Sequence, residues 1–171
     1  MRTETLILEN LIYNENYSSI VGIFLQPDYF KENAEKQIFI EIQKHITEYN
    51  SPPSKEVLSV KLNNREDLNE TTFKNCEELL KTLKAKTDDE QWLTEETERW
   101  AKNQAVYNGI VQSISILEGK DKELSKDAIP EILTEALAIS LDKSIGHNYL
   151  ENGEDRWEFY HKSESKIPFD M

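Results

Sequence analysis

Apolar side chains recur at spacings of three and four residues along most of the chain, which is the pattern of amphipathic helices. The first 86 residues show no sustained alternation of apolar and polar positions, which strands would require. The pattern therefore predicts an all-α fold. Its first part, residues 1–86, is predicted as a compact bundle of short helices.

Start and stop signals divide this bundle into helices. A first helix begins behind Thr3, a second short helix ends before Pro27, and a third helix, capped by Asn33, extends to about Tyr49. The adjacent prolines 52–53 make a stiff corner, after which two further helices follow. The bundle thus contains five short helices.

A longer helix follows from the acidic residues 88–90, whose charge favours a helix amino end. It is predicted to extend to Leu117. Four of its apolar residues are spaced by seven, as in a coiled coil: Leu93, Trp100, Tyr107 and Ile114. Three more apolar residues fill the intervals: Ile110, Val111 and Leu117.

A second helix of a long antiparallel hairpin is predicted after the polar turn at 119–123, with Asp127 as its cap and Pro130 in its first turn. It is apolar on more than one side through Leu141, and its interface candidates are Ile129, Leu133 and Leu137. This hairpin, residues 87–145, therefore needs a further surface, either the bundle or another subunit. We favour contact between subunits, with an internal core as the alternative.

Residues 146–171 contain the glycines and asparagines of a linker, followed by a short amphipathic helix. That helix carries three aromatic residues within four positions: Trp157, Phe159 and Tyr160. A solitary short helix of this kind is not stable alone, so we expect these residues to dock on another surface.

The composition narrows the classes of function. With 33 acidic and 20 basic residues, the formal net charge is -13, and no basic stripe is visible, so strong DNA binding is not expected. The single cysteine, Cys76, excludes an intramolecular disulfide and suits a reducing cytosol. No uninterrupted apolar run is long enough for a membrane span.

Catalytic chemistry has little support in the sequence. A two-metal carboxylate bundle needs two Glu-x-x-His motifs, and only one, Glu158 with His161, is present. Glu41 and His45 form an isolated pair four residues apart, and Cys76 fits a buried structural residue. We therefore predict no catalytic, metal-binding or cofactor-binding residue. A small metal-dependent hydrolase is the enzyme alternative, and it would require bound metal.

Several short segments, taken in order, carry a resemblance to a known family. They are the Leu6–Leu11 helix, residues 27–30, the helix of Ile38–Tyr49, the corner at 51–54, Trp92 with the acidic run 95–98, and the later segments 128–130, 136–140, 146–147, 156–157 and 168–169. Together they resemble the amino-terminal domain of DnaB-type replicative DNA helicases, and within that family the helicases of T-even phages.

This resemblance implies a non-catalytic domain that pairs through its helical hairpin and assembles into a ring, from dimer to hexamer. Primase and helicase loader are the implied partners, and the cytoplasm of the infected host is the implied location. The linker aromatics would dock on a neighbour's ATPase motor. ATP and Mg²⁺ would belong to that motor alone, because no G-x-x-x-x-G-K-[ST] loop occurs in the 171 residues.

The alternative function is a free-standing phage helical adaptor or helicase-loader protein. An open reading frame that continues past Met171 into a phosphate loop would eliminate this alternative.

Overall fold

Seven α-helices and two short 3-10 helices form the part of the chain that this computed structural model describes, residues 2–85, 89–121 and 123–141. No strand is present within those ranges, and the predicted all-α class is confirmed. The helices are α1 (Thr3–Tyr13), α2 (Glu15–Val21), α3 (Asn33–Tyr49), α4 (Lys55–Asn63), α5 (Glu70–Thr82), α6 (Glu90–Leu117) and α7 (Ile129–Leu137). The 3-10 helices are Pro27–Tyr29 and Lys126–Ala128.

Side-chain caps begin four of the helices. In each, the capping oxygen accepts a hydrogen bond from a backbone amide three residues later: Asn14, Ser54, Asn69 and Asp89. The predicted acidic start of the long helix is confirmed, with Asp89 as its cap. The predicted cap at Asn33 is wrong, because Asn33 is already helical and its amide nitrogen donates to Thr72 Oγ1 at 3.2 Å.

Two helices end earlier than the apolar pattern predicted. α2 stops at Val21 rather than before Pro27, and Gly22 follows as its C-cap. A Cβ atom on Gly22 would lie 2.6 Å from the Ser18 carbonyl oxygen and 2.7 Å from Ile46 Cδ1, so α2 and α3 pass close together here. α7 stops at Leu137, four residues before the predicted Leu141.

The hydrophobic core is centred on α3, which packs against α1, α4, α5 and the first 3-10 helix. The first half of α6 closes this core through contacts with α1 and α2. One apolar cluster extends from Ile7 of α1 to Ala136 of α7, and residues 1–141 form one compact unit. The cluster includes residues on both sides of residue 86, where the sequence predicted a boundary between the bundle and the hairpin. That boundary stays a prediction.

A buried pair of hydroxyl groups joins α2 to α6. Tyr17 is fully buried, and its hydroxyl lies 2.7 Å from Thr97 Oγ1. The Thr97 hydroxyl donates to the Leu93 carbonyl, so the Tyr17 hydroxyl is the donor of the pair. Burial raises the pKa of Tyr17, which keeps this donor protonated. The contact fixes the position of α6 against the bundle.

Glu35, in the first turn of α3, links the stability of the fold to pH. Its carboxylate is 3% exposed, and burial raises its pKa from 4.5 to about 7, against the opposing influence of Arg2, whose Nη2 lies 3.3 Å away. The folded state therefore favours the protonated acid. The stabilising contribution of this proton is complete below pH 4.5 and is lost as the pH rises through about 7.

We therefore expect Glu35→Gln to be more stable than the parent chain at pH 8, by about 1–2 kcal/mol. At pH 4.5 the difference should be small, because the parent carboxyl is then protonated in the folded state. Urea unfolding at both pH values measures the effect, and Glu66→Gln, at an exposed position away from Glu35, is the matched control. Parallel pH profiles for the parent chain and Glu35→Gln would contradict the assignment.

Candidate interaction surface

A row of small residues follows α6 from the bundle to α7. The residues are spaced by four and all are buried: Thr97, Ala101, Ala105, Gly109 and Ser113. At Gly109 the two helices approach so closely that a Cβ atom would lie 3.3 Å from Ala136 Cβ and 3.6 Å from Ile132 Cγ2. Ser140, beyond the end of α7, donates to Glu98 Oε1 at 3.0 Å. α7 therefore lies antiparallel to the second half of α6.

The buried side of α6 turns as the helix leaves the bundle. Positions four apart advance by about 40° on a helix of 3.6 residues per turn, so the buried row rotates by roughly 160° between Thr97 and Ser113. Near its amino end the helix contacts the bundle, and near its carboxyl end the contacting element is α7. Residues spaced by seven drift by only about 20° per heptad and stay on nearly the same face.

This rotation divides the predicted heptad residues into two pairs. Leu93 is fully buried and Trp100 is 8% exposed, and both belong to the core of the chain itself. The Trp100 ring lies 5.2 Å from Phe30 and meets Tyr29 edge-on at 6.3 Å. Tyr107 and Ile114 are not covered in this way, and 53% and 48% of their surface is exposed. The residues available for contact with another molecule are therefore those from Tyr107 onward.

The exposed residues form one surface, which we call the α6–α7 face. From α6 it includes Tyr107, Ile110, Val111, Ile114 and Leu117, and from α7 it includes the exposed Leu137 and the partly exposed Ile129 and Leu133. The α6 members recur at three- and four-residue spacings, and the α7 members are four apart, as expected for one stripe on each helix. The eight side chains of the face are all uncharged.

A lysine lies at the edge of this face. Lys31 Nζ lies 4.4 Å from the centre of the Tyr107 ring, in position for a cation–π contact. The ammonium group also keeps the end of the face nearest the bundle in contact with water. The Lys31 ammonium group therefore marks the end of the apolar surface at Tyr107.

The flank of α6 and α7 next to the first 3-10 helix has a mixed polar and apolar surface, to which Val111 also contributes. A groove of about 810 Å³ lies there between α6, α7 and the first 3-10 helix. Its polar lining includes Gln26, Asp28, Asn108, Gln112, Ser115 and Glu135. Asn108 Nδ2 donates to the Asp28 carbonyl at 2.8 Å, which joins α6 to the 3-10 helix.

The side chains considered for catalysis make structural contacts within the fold. Cys76 is fully buried, and burial raises the pKa of its thiol. Glu41 is buried and accepts from Arg65 Nη1 at 3.3 Å and Lys44 Nζ at 3.0 Å, while the His45 ring stacks on Tyr49. Within residues 2–85, 89–121 and 123–141, no three His, Cys, Asp or Glu side chains are grouped to hold a metal ion.

The sequence prediction missed the row of small residues through which α6 packs against the bundle and α7. Its signal was present as small side chains at 97, 101, 105, 109 and 113, which leave room for a closely packed helix. The linker residues Trp157, Phe159 and Tyr160 lie outside the described residues. In the described part of the chain, no helix combines the length and the apolar character needed to cross a membrane.

The fold and this surface define an all-α domain that carries an exposed apolar face on two packed helices. No protein-family model matches the chain. The chain is 32% identical to the DnaB-like replicative helicase of Enterobacteria phage T4, over 174 aligned positions that cover 97% of this chain and 36% of the T4 protein. The resemblance to DnaB-type replicative helicases is thus confirmed.

The match has a defined extent. This chain spans little more than a third of the length of the T4 relative, although nearly all of the chain is aligned. Such a match fits the amino-terminal domain of a longer helicase.

Proposed function

We propose that this chain is the amino-terminal assembly and docking domain of a phage replicative DNA helicase, and that the α6–α7 face pairs its subunits. The observation that carries the proposal is the face itself. Five α6 side chains from Tyr107 to Leu117 are each between 47% and 57% exposed, and Leu137 of α7 is 71% exposed. An apolar surface of this continuity is typical of an interaction site.

A second copy of the chain is the occupant that the charge distribution favours. At a formal net charge of -13, two copies repel each other through most of their surfaces. The α6–α7 face lacks charged groups, so two copies can meet there without burying unpaired charges. Apolar stripes on two antiparallel helices also suit a two-fold contact, in which the same residues come from both partners.

The activity of the longer protein follows from the relative's name and from the family resemblance. We infer that the parent of this chain unwinds DNA in the 5′ to 3′ sense during phage replication in the infected host. ATP and Mg²⁺ would act in a separate motor domain, because the 171 residues contain no phosphate loop. The present chain would supply subunit pairing and ring assembly rather than chemistry.

We also propose that primase and the helicase loader bind to this domain. The bundle offers exposed apolar side chains that are separate from the α6–α7 face, on α1, α3 and α4. Tyr13 is 43% exposed, Tyr49 56% and Val60 60%. These residues give partner proteins a surface that subunit pairing through α6 and α7 would leave free.

Sedimentation velocity over a concentration series tests the pairing. We expect the weight-average mass of the chain to rise from monomer to dimer, and the transition to persist at high salt because the contact is apolar. A chain that stays strictly monomeric at high micromolar concentration would remove the α6–α7 face as a pairing surface.

A further inference from the structure

α7 is held on the rest of the chain by very little buried surface. Within residues 118–121 and 123–141, Ala136 alone is buried. By comparison, α1 buries six residues within eleven. Of the other apolar residues of α7, Ile129, Ile132 and Leu133 are partly exposed, and Leu137 is 71% exposed. α7 lies close to α6 along its length but buries few side chains, and a segment with so little buried surface belongs to the least stable part of a fold.

The local sequence adds little to the stability of α7. The helix has nine residues, below the length at which an isolated helix is stable in water. Ala128 occupies the N-cap position and makes no side-chain capping bond. The residues that α7 leaves exposed are also its contribution to the α6–α7 face. The surface that would stabilise α7 is therefore the same surface that we propose for pairing.

We infer that the seating of α7 on α6 and the pairing of subunits are one coupled equilibrium, an inference that rests on the proposed function. In a free subunit, α7 exchanges between a seated state, in which it packs on α6, and an open state, in which it does not. Pairing covers Leu133 and Leu137 and so favours the seated state, because a partner that binds one state draws the population toward it. Each subunit then becomes fully competent for pairing only when α7 is seated.

The close approach at Gly109 allows α7 to be locked in place. A Cβ atom at residue 109 would lie 3.3 Å from Ala136 Cβ, near the 3.5–4.5 Å range of disulfides, about 3.8 Å on average. A chain carrying Gly109→Cys and Ala136→Cys can therefore form a disulfide that pins α7 to α6 after a small adjustment. The native Cys76 is fully buried in the core and does not compete.

The first experiment compares the oxidised and reduced forms of this double variant by sedimentation. We expect the oxidised form to pair at least about tenfold more tightly, because neither subunit must seat α7 during association. The Gly109→Cys single variant, treated in the same way, controls for the redox conditions. Thermal melting of both forms establishes that each is folded.

A second pair of variants avoids the disulfide. Glu131 is exposed on α7 and lies outside the α6–α7 face. Glu131→Ala and Glu131→Gly remove the same carboxylate but differ strongly in helix propensity. If seating and pairing are coupled, the glycine variant should pair at least about threefold more weakly than the alanine variant.

Hydrogen exchange gives the direct measurement on the parent chain. Amides of residues 131–137 should be weakly protected in the monomer and strongly protected in the dimer, while those of the first half of α6 stay protected in both. Equal pairing by oxidised and reduced forms, with α7 protected in the monomer, would overturn the coupling and leave pairing intact. Absence of pairing in every form would overturn the proposed function and the coupling together.

Discussion

Replacing Ile114 with glutamate should weaken subunit pairing by at least about 100-fold, because each partner would then bury a charge in an apolar contact. Ile114 lies in the middle of the α6 stripe, between Ile110 and Leu117, and is 48% exposed in the single chain. A glutamate there can reach water in the monomer, so the stability of the monomer should change little. In a two-fold contact the two new carboxylates would also repel each other.

A matched control lies two residues away on the same helix. Gln112→Glu introduces the same charge at an exposed position that lines the groove next to the first 3-10 helix instead of the α6–α7 face. Sedimentation of both variants over one concentration series should show dimers for Gln112→Glu and monomers for Ile114→Glu. Equal pairing by the two variants would show that subunits do not meet through the α6–α7 face.

Replacing Trp100 with alanine should lower the free energy of unfolding of the monomer by about 3–5 kcal/mol, as large core truncations do. The indole is 8% exposed and packs against Phe30 and Tyr29, and so joins α6 to the segment before α3. Its removal would leave a cavity at the junction of the bundle and α6. Urea unfolding at a concentration where the chain is monomeric measures this loss.

Trp92 provides the comparison for this experiment. It lies eight residues earlier on α6 and is 53% exposed, so Trp92→Ala should cost less than about 1 kcal/mol. Trp100→Phe should retain much of the packing. A Trp100→Ala variant with unchanged monomer stability but weaker pairing would instead restore Trp100 to the contact between subunits.

Local sequence signals predicted most of the helices, because the pattern of apolar residues and the caps act over short distances. The acidic start of α6 and its end at Leu117 follow from helix-end preferences and from the absence of a breaker before Gly109. Pro130 is in the first turn of α7, as its missing amide hydrogen predicted. Ser54 begins α4 after the proline corner.

Local signals could not predict which face of each helix is buried by other parts of the protein. Leu93 and Ile114 are alike in heptad position, yet one is buried in the bundle and the other is exposed. That difference depends on where the bundle ends in space, which no local pattern records. The close approach of Gly22 to α3 likewise depends on tertiary packing, and the role of Asn33 depends on a hydrogen bond to α5.

The turning buried side of α6 also restricts how the length of this helix can change in related proteins. One inserted residue between Thr97 and Gly109 would rotate Gly109 and α7 together by about 100° around the helix axis relative to the bundle. Insertions of seven or eleven residues would restore the orientation to within about 20°. They would move α7 outward by roughly 10 or 16 Å. Relatives with a longer α6 should therefore differ in steps of these sizes.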